Sequence, residues 1–411
     1  MSSTALFRTE AEIERQKVER RGPIQVDTSL GSVTLLVTDD INGLETLWEE
    51  LQGKAPCTPP QTFAWARAWV RHMVWPEGRE PVIAVGHGGD GRVLFLWPFE
   101  STSKLGMTAL TWLGQAHANY NMGLFDPEAA ARFSGEDIAR LLEAVAGVAS
   151  ADAAWLTSQP FAWDGVANPF AKLPLQAAPS SGYAVTLGDF DVLFNERFSK
   201  KGRREFERKE RKLGEIGALE FGWAETRNER LALIETLFAQ RSRQYAELGV
   251  GNILDAHGRA LYREIALLEG DNPSRLRLGY MKVGETVVAT FSGSICHNRL
   301  SVAFSSLAEG EAQKYSPGLL LLRHQISEAC AKGLAIYDIG AGKARNKDQW
   351  CDVVQPLFDS FIAFSPQGYL LTLPLASIAR AKGAIKSNRH LWPLAQRLRQ
   401  LLFARKTERK G

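Results

Sequence analysis

Apolar and polar positions along this chain change period in an order that occurs twice. A short apolar run at 33–37 is of strand type. Behind the N-cap candidates Asp39 and Asp40, Leu44, Leu47, Trp48 and Leu51 share one helical face. A second helix fits 61–74, where Trp65, Ala68, Trp69 and His72 fall together. Strands fit 81–85, 92–99 and 109–113, followed by a helix at 136–148 and a strand at 153–157. Residues 161–182, rich in Pro, Ala and Ser, read as a connection. Beyond it lie a strand at 183–187 and a long charged helix at 190–213. The first order then returns: strand 218–223, helices 227–246 and 257–268, strands 275–281, 286–296 and 299–306, helix 317–332, strand 335–339. A closing hairpin is expected to pair 354–364 with 369–373 around Ser365-Pro-Gln-Gly368.

This pattern predicts an α/β protein with two similar lobes, each a mixed α+β sheet flanked by helices. The length of 411 residues agrees, being too great for one compact core. The expected division is a charged leader (1–30), a first lobe (31–180), a second lobe (181–376) and a basic amphipathic tail (377–411). Eight of the eleven tryptophans lie between Trp48 and Trp163, which predicts a well-filled core for the first lobe.

Charge sharpens the picture. Residues 380–411 hold ten Lys or Arg against the single acid Glu408, so the net +3 divides into +9 for the tail and −6 for the rest. The body is therefore not expected to bind nucleic acid. Leu391, Leu394, Ala395, Leu398, Leu401 and Leu402 give the tail an apolar stripe suited to an anionic membrane surface, a protein partner, or packing on the chain itself. No apolar run is long enough to span a bilayer, and 1–22 lacks the apolar segment of a secretory signal. Cys57, Cys296, Cys330 and Cys351 form no C-x-x-C pair, and the seven histidines show no metal-ligand spacing. The expectation is a cytoplasmic protein, peripheral at the inner membrane if the tail docks there, with no metal.

Two apparent nucleotide motifs fail on context. Gly86-His-Gly-Gly-Asp-Gly91 leads into another strand rather than a helix, so it reads as a hairpin turn. Gly340-Ala-Gly-Lys343 has Tyr337 where a P-loop needs its first glycine, and Ala344 where it needs Ser or Thr. The segment that carries chemistry is 300–332. There a strand ends in Ser305-Ser306-Leu307, a loop brings Lys314 and Tyr315, and a helix opens at Ser316-Pro317-Gly318. Ser316 suits an N-cap and Pro317 the first helical position. Gly318 leaves the first turn bare, so an anion could approach the amides, as a pyrophosphate requires.

Together these segments resemble the GNAT superfamily of N-acyltransferases, and within it the cellulose-biosynthesis (CelD-like) type. In the first half the resemblance rests on Gln61-Thr-Phe-Ala-Trp65, Trp69, Leu96-Trp-Pro98 and Leu113-Gly114. In the second it rests on Lys200-Lys-Gly-Arg-Arg204, Tyr315-Ser-Pro-Gly318, Tyr337-Asp-Ile-Gly340 and Lys347-Asp-Gln-Trp350. It implies tandem GNAT-like lobes and direct transfer of an acyl group from acetyl-CoA, or another acyl-CoA, to an amine on a small molecule or saccharide. An amino sugar or exopolysaccharide precursor is the expected acceptor. The donor would lie along Ser305, Ser306, Leu307, Lys314, Tyr315, Ser316, Pro317 and Gly318, with Lys347, Asp338 and Tyr315 as candidate catalytic groups. Asp338 and Lys347 also admit structural readings, as a partnered carboxylate and a loop lysine. The basic helix 200–212 is either a solvated face or a rim that attracts phosphate. Two alternatives stand beside this one: a Fem-type transferase that uses aminoacyl-tRNA, and a non-catalytic interaction protein. One donor per chain is expected, because the helix start at Ser134-Gly135-Glu136-Asp137 carries its own carboxylates; the 115–121 loop is expected to shape the acceptor cleft.

Overall fold

The computed structural model describes residues 22–104, 106–342, 345–388 and 390–395. In the first lobe, strands β1 (Ile24–Thr28), β2 (Gly31–Thr38), β3 (Pro81–His87), β4 (Val93–Lys104), β5 (Met107–Trp112) and β6 (Ala153–Pro160) lie side by side in that order. Helices α1 (Glu45–Gln52), α2 (Phe63–Trp69) and α3 (Gly135–Val148) interrupt them where the sequence pattern places helices. Strand β7 (Gly182–Thr186) and helices α4 (Phe190–Arg197) and α5 (Lys200–Gly214) open the second lobe. It continues through β8 (Leu219–Trp223), α6 (Arg227–Glu247), α7 (Ala256–Ala266), β9 (Arg277–Val283), β10 (Thr286–Cys296), β11 (Arg299–Leu307), α8 (Pro317–Ala331), β12 (Ile336–Ala341) and the short α9 (Arg345–Trp350). Its sheet order is β8-β9-β10-β11-β12-β7, and the short strand Val353–Gln355 pairs with the outer side of β7. Neighbours are antiparallel, except that β5 runs parallel to β6 and β11 to β12. Each parallel pair is joined by a crossover helix, α3 or α8, as a parallel connection requires.

One strand of the second lobe joins the first sheet. The last strand, β13 (Leu357–Ala363), which the pattern assigns to the second lobe, adds to β6 of the first sheet. Its partner in the expected hairpin is not a strand. Residues 366–387 form helix α10 (Pro366–Ser387), because Ser365 accepts a hydrogen bond from the Gly368 N–H and Pro366 occupies the first turn. The Ser-Pro-x-Gly signal is thus a helix cap rather than a hairpin turn. The expected helix at 190–213 is likewise two helices. Phe198 is extended (φ −127°, ψ 130°), and Ser199 restarts the helix by capping the Gly202 N–H. The helix expected at 61–74 continues past α2 as a wider π turn over Val70–Val74. Strand β1 lies inside the stretch read as a leader, of which residues 1–21 fall outside the described residues. As expected, Gly86–Gly91 turns the β3–β4 hairpin.

Trp97, Phe95, Phe99, Phe125, Phe133 and Phe170 interlock under the first sheet, as the tryptophan density anticipates. A second core spans both lobes, with Trp48, Trp65 and Trp69 packed together with Tyr262 and Ile265 of α7 and Phe304 of β11. The lobes therefore share one apolar interior. Helix α10 buries Leu371 and Ala376 and leaves Tyr369, Leu370 and Leu373 exposed. In the tail Leu391 and Leu394 are exposed, whereas Leu398, Leu401 and Leu402 lie outside the described residues. Among the described residues no helix is long and apolar enough to cross a membrane.

Candidate active site

Strands β11 and β12 pair only over Arg299–Ser301 and Ile336–Asp338, then part. On its other edge β11 follows β10 to Leu307, past a bulge at Ala303 that redirects it. Beyond the fork, the Val302 carbonyl and the Ala341 N–H cannot satisfy each other. Asn119 of the first lobe serves both: its Nδ2 donates to Val302 O (3.1 Å) and its Oδ1 accepts from Ala341 N (3.2 Å). The adjacent Tyr120 hydroxyl donates to Asp338 Oδ1 (2.8 Å). This insertion explains two glycines. A Cβ on Gly340, whose φ is +81°, would fall 2.6 Å from Asn119 Nδ2, and one on Gly182 would collide with the Tyr120 hydroxyl.

The loop bearing Asn119 is anchored on Glu100, fully buried among Trp69 (2.8 Å to Nε1), Arg79 and Gln115. Between this loop and β11 lies a narrow cleft, lined by Trp65, His117, Asn119, Tyr262, Ser301 and Val302 among others. His117 Nδ1 is 3.2 Å from the Tyr262 hydroxyl, and burial pushes its pKa down to about 4, with Asp255 opposing the shift. The imidazole is therefore neutral near pH 7. Ser301 Oγ is buried without a partner among the described residues. Aromatic rings beside the unpartnered Ser301 hydroxyl suit a polar ligand with an apolar face. The sequence reading credits the 115–121 loop with shaping this cleft but misses His117, which no local motif marks.

At the far end of β11 lies the start of α8. From Ser301 to Leu307 the strand covers about 20 Å, and Gly318 packs on Leu307, where a Cβ would come within 2.9 Å of Leu307 Cδ2. Ser316 does not cap the helix as expected. It adopts the left-handed conformation (φ 55°, ψ 56°), its side chain does not cap the first turn, and its Oγ instead accepts from Lys209 Nζ (3.2 Å) while its carbonyl accepts from the Leu319 N–H (3.0 Å). By contrast, Ser134, Ser199, Thr226, Asp255 and Ser365 each cap the helix that follows them. Helix α5 is fastened beside this open start by an Arg323–Glu210 bond, while Glu205 pairs with Arg208 (2.7 Å) and leaves Lys209 directed at Ser316. The corresponding start in the first lobe is closed. Burial alone would raise the Asp137 pKa, but hydrogen bonds from Ser29 and Ser134 outweigh it and hold the carboxylate at about 2, across the first turn of α3.

The sequence-predicted residues thus divide. Ser305, Ser306, Leu307, Tyr315, Ser316, Pro317 and Gly318 gather where β11 meets α8. The Ser305 and Leu307 carbonyls accept from Arg241 (3.5 Å) and Arg243 (2.6 Å), and Ser306 is buried against Thr290 and Gln240. Lys314 points to the surface and pairs with Glu311 (3.6 Å). Asp338 and Lys347 stand together at the fork. Asp338 is 1% exposed, with Oδ1 accepting from Tyr120 and the Gly340 N–H (2.7 Å) and Oδ2 facing Arg299 (3.3 Å). Burial raises its pKa against the pull of Arg299. Lys347 donates to the Gly340 and Ala341 carbonyls (2.8 and 3.1 Å), and burial lowers its pKa to about 8. These contacts hold the two strands in their forked arrangement, which fits a positioning role for both residues. Trp350 is fully buried among Phe194, Phe198 and Phe206.

Residues 200–348 match the acetyltransferase (GNAT) domain family. No curated protein matches the chain by sequence. Among solved structures, FemX shares the fold with a TM-score of 0.54 at 12% identity, over 80% of this chain and 98% of FemX. A conserved protein of unknown function from Bacteroides thetaiotaomicron aligns at a TM-score of 0.49 and 10% identity, over 83% of this chain and 99% of its own. A tandem GNAT protein from the clavulanic acid biosynthesis pathway aligns at 0.44 and 11% identity, over 81% and 99%. The family match falls within the second lobe, and the fold of the chain is shared with FemX.

Proposed function

We propose that the chain transfers an acyl group from acetyl-CoA, or another acyl-CoA, to the amine of a small molecule or saccharide bound between the lobes. The observation that carries this reading is the open start of α8 at the wide end of the fork. The Gly318 N–H, which has no partner among the described residues, and the Lys209 ammonium beside it suit a phosphate. About 20 Å of diverging strand leads from there to the fork apex, where Asp338 and Lys347 hold β12. The pantetheine arm would follow that edge, and the thioester would reach the cleft lined by His117, Ser301 and Tyr262. There the amine nitrogen attacks the thioester carbonyl. The C–N bond forms, the C–S bond breaks, and the leaving thiolate takes the proton that the amine loses. Backbone N–H groups of β11 facing the fork would stabilise the oxyanion, and holding the reactants together would supply most of the rate. The aromatic and hydroxyl lining favours an amino-sugar acceptor of the exopolysaccharide-precursor type.

Calorimetric titration with acetyl-CoA, followed by an assay of thiol release with glucosamine as probe acceptor, tests the reading. Lys209→Glu should weaken acetyl-CoA binding at least tenfold, about 1.4 kcal/mol, with the unfolding transition unchanged. Lys209 is a better probe than Gly318, where any side chain also disturbs Leu307. A folded chain that binds no acyl-CoA but captures aminoacyl-tRNA would replace this proposal with the Fem-type alternative.

A further inference from the structure

At the foot of the interlobe cleft, donor atoms far apart in sequence converge from both lobes. Cys57 lies in the turn after α1, beside Thr58 and Pro59, which line the cleft. Cys296 ends β10, and His297 begins the turn into β11. The two sulfurs are 3.2 Å apart across 239 residues of sequence, with the side chains 2% and 3% exposed. One ligand atom from each of Cys57, Cys296 and His297 falls within 4.8 Å of the others. A fourth donor comes from the last residue of α1: the Gln52 carbonyl oxygen is 3.8 Å from Cys57 Sγ and 3.2 Å from His297 Nε2. His297 takes a left-handed φ of 51°, which L side chains rarely adopt.

We propose that Cys57, Cys296 and His297, completed by the Gln52 carbonyl, bind one zinc-class divalent cation that clips the lobes together. Two thiolates and an imidazole are a soft donor set that selects zinc over magnesium or calcium. A tetrahedral ion with Zn–S bonds of about 2.3 Å holds its sulfurs about 3.8 Å apart, so the pair needs to part only slightly. Two metal–sulfur bonds replace two S–H bonds, the protons pass to solvent, and no oxidant is consumed. A disulfide would account for the sulfurs but not for the imidazole and carbonyl beside them. The ion would fix the Thr58–Pro60 wall of the cleft relative to β11, whatever donor or acceptor the cleft takes. The sequence reading expects no metal because the ligands show no local spacing; only the lobe packing assembles them.

Full-length reduced chain, stripped with a chelator, is titrated anaerobically with Co²⁺ alone. The expected result is one ion per chain with thiolate-to-cobalt charge-transfer absorption, bleached by equimolar Zn²⁺. Cys57→Ser and Cys296→Ser should each abolish that absorption, and His297→Ala should weaken binding at least tenfold. Because the cysteine variants could misfold, X-ray absorption at the zinc edge of the loaded wild-type chain provides a second reading. Two sulfur scatterers support the site. No stoichiometric binding, or a bound ion without sulfur neighbours, overturns it. A Cys57–Cys296 disulfide in metal-free chain isolated under alkylating conditions assigns the pair to redox chemistry instead.

Discussion

Lys347 makes the pH dependence of stability a direct probe of the fork. Burial lowers its pKa from 10.5 to about 8, while nearby Cys351 and Asp338 pull it up. The side chain is only 7% exposed, so solvent screening discounts little of the shift. Between pH 8 and 10.5 the unfolded chain binds more protons at this residue than the folded chain, so stability rises with pH. Integrated from pH 7 to 9, one such lysine adds about 1.4 kcal/mol. Cys351 acts the other way. Burial pushes its thiol from 9.0 up to about 12, so above pH 9 the unfolded chain releases that proton first and stability falls. Lys347→Met isolates the lysine. Urea unfolding at half-unit steps from pH 7 to 9 should show the wild type gaining about 1.4 kcal/mol relative to the variant. A constant difference across that window would mean that Lys347 is solvated, and that its bonds to the Gly340 and Ala341 carbonyls do not hold the fork.

Asp338→Ala should destabilise the chain by about 3–5 kcal/mol, because Arg299 and the Tyr120 hydroxyl would lose their buried partner; denaturant midpoints check this against Asp338→Asn. His117, held near 4 by burial, should cost stability as pH falls from 6.5 towards 4, where the unfolded chain binds the extra proton. His117→Gln should flatten that limb, and an unchanged limb would refute the burial argument. Titration with a non-hydrolysable acyl-CoA analogue should give a stoichiometry near one, since Asp137 occupies the α3 start; a value near two would overturn the asymmetry between the lobes. Deleting 386–411 should reduce co-sedimentation with phosphatidylglycerol vesicles, and equal sedimentation with and without the tail would exclude a membrane role.

What was legible in the sequence was whatever depends on local period. The order strand, two helices, three strands, helix, strand could be read in both lobes because each element buries one face on its own sheet. The donor segment was legible for the same reason, since strand end, loop and helix start are consecutive. Two local signals misled. Ser365-Pro-Gln-Gly368 fits a turn as well as a helix cap, and only the packing of α10 on β13 and β6 separates them. Ser316 has the right chemistry for a cap, yet its backbone enters the left-handed region and its hydroxyl turns to Lys209. Long-range assembly left no trace in spacing. Asn119 meets Val302 and Ala341 across about 180 and 220 residues, and Cys57 meets Cys296 across 239.

The strand that crosses between lobes gives those long-range contacts a cause. Strand β7 precedes the second lobe's repeat yet pairs with β12 at its far edge, and β13, which follows that repeat, pairs with β6 at the matching place in the first sheet. The first sheet thus takes a strand from the second lobe, whereas the second sheet is built from its own lobe. The shared core of Trp65, Trp69, Tyr262 and Phe304 reinforces this dependence. A first lobe tied in this way is held in one register against the second, so Asn119 and Tyr120 can be placed at the fork to within hydrogen-bond tolerance. The two lobes retain the same architecture but differ at the helix start: α3 is closed by Asp137, and α8 is left open under Lys209. Among the described residues the start of α8 lies open beside a lysine, with the loop of the first lobe forming the opposite wall of the cleft. On this argument the first lobe contributes to the proposed site through that loop.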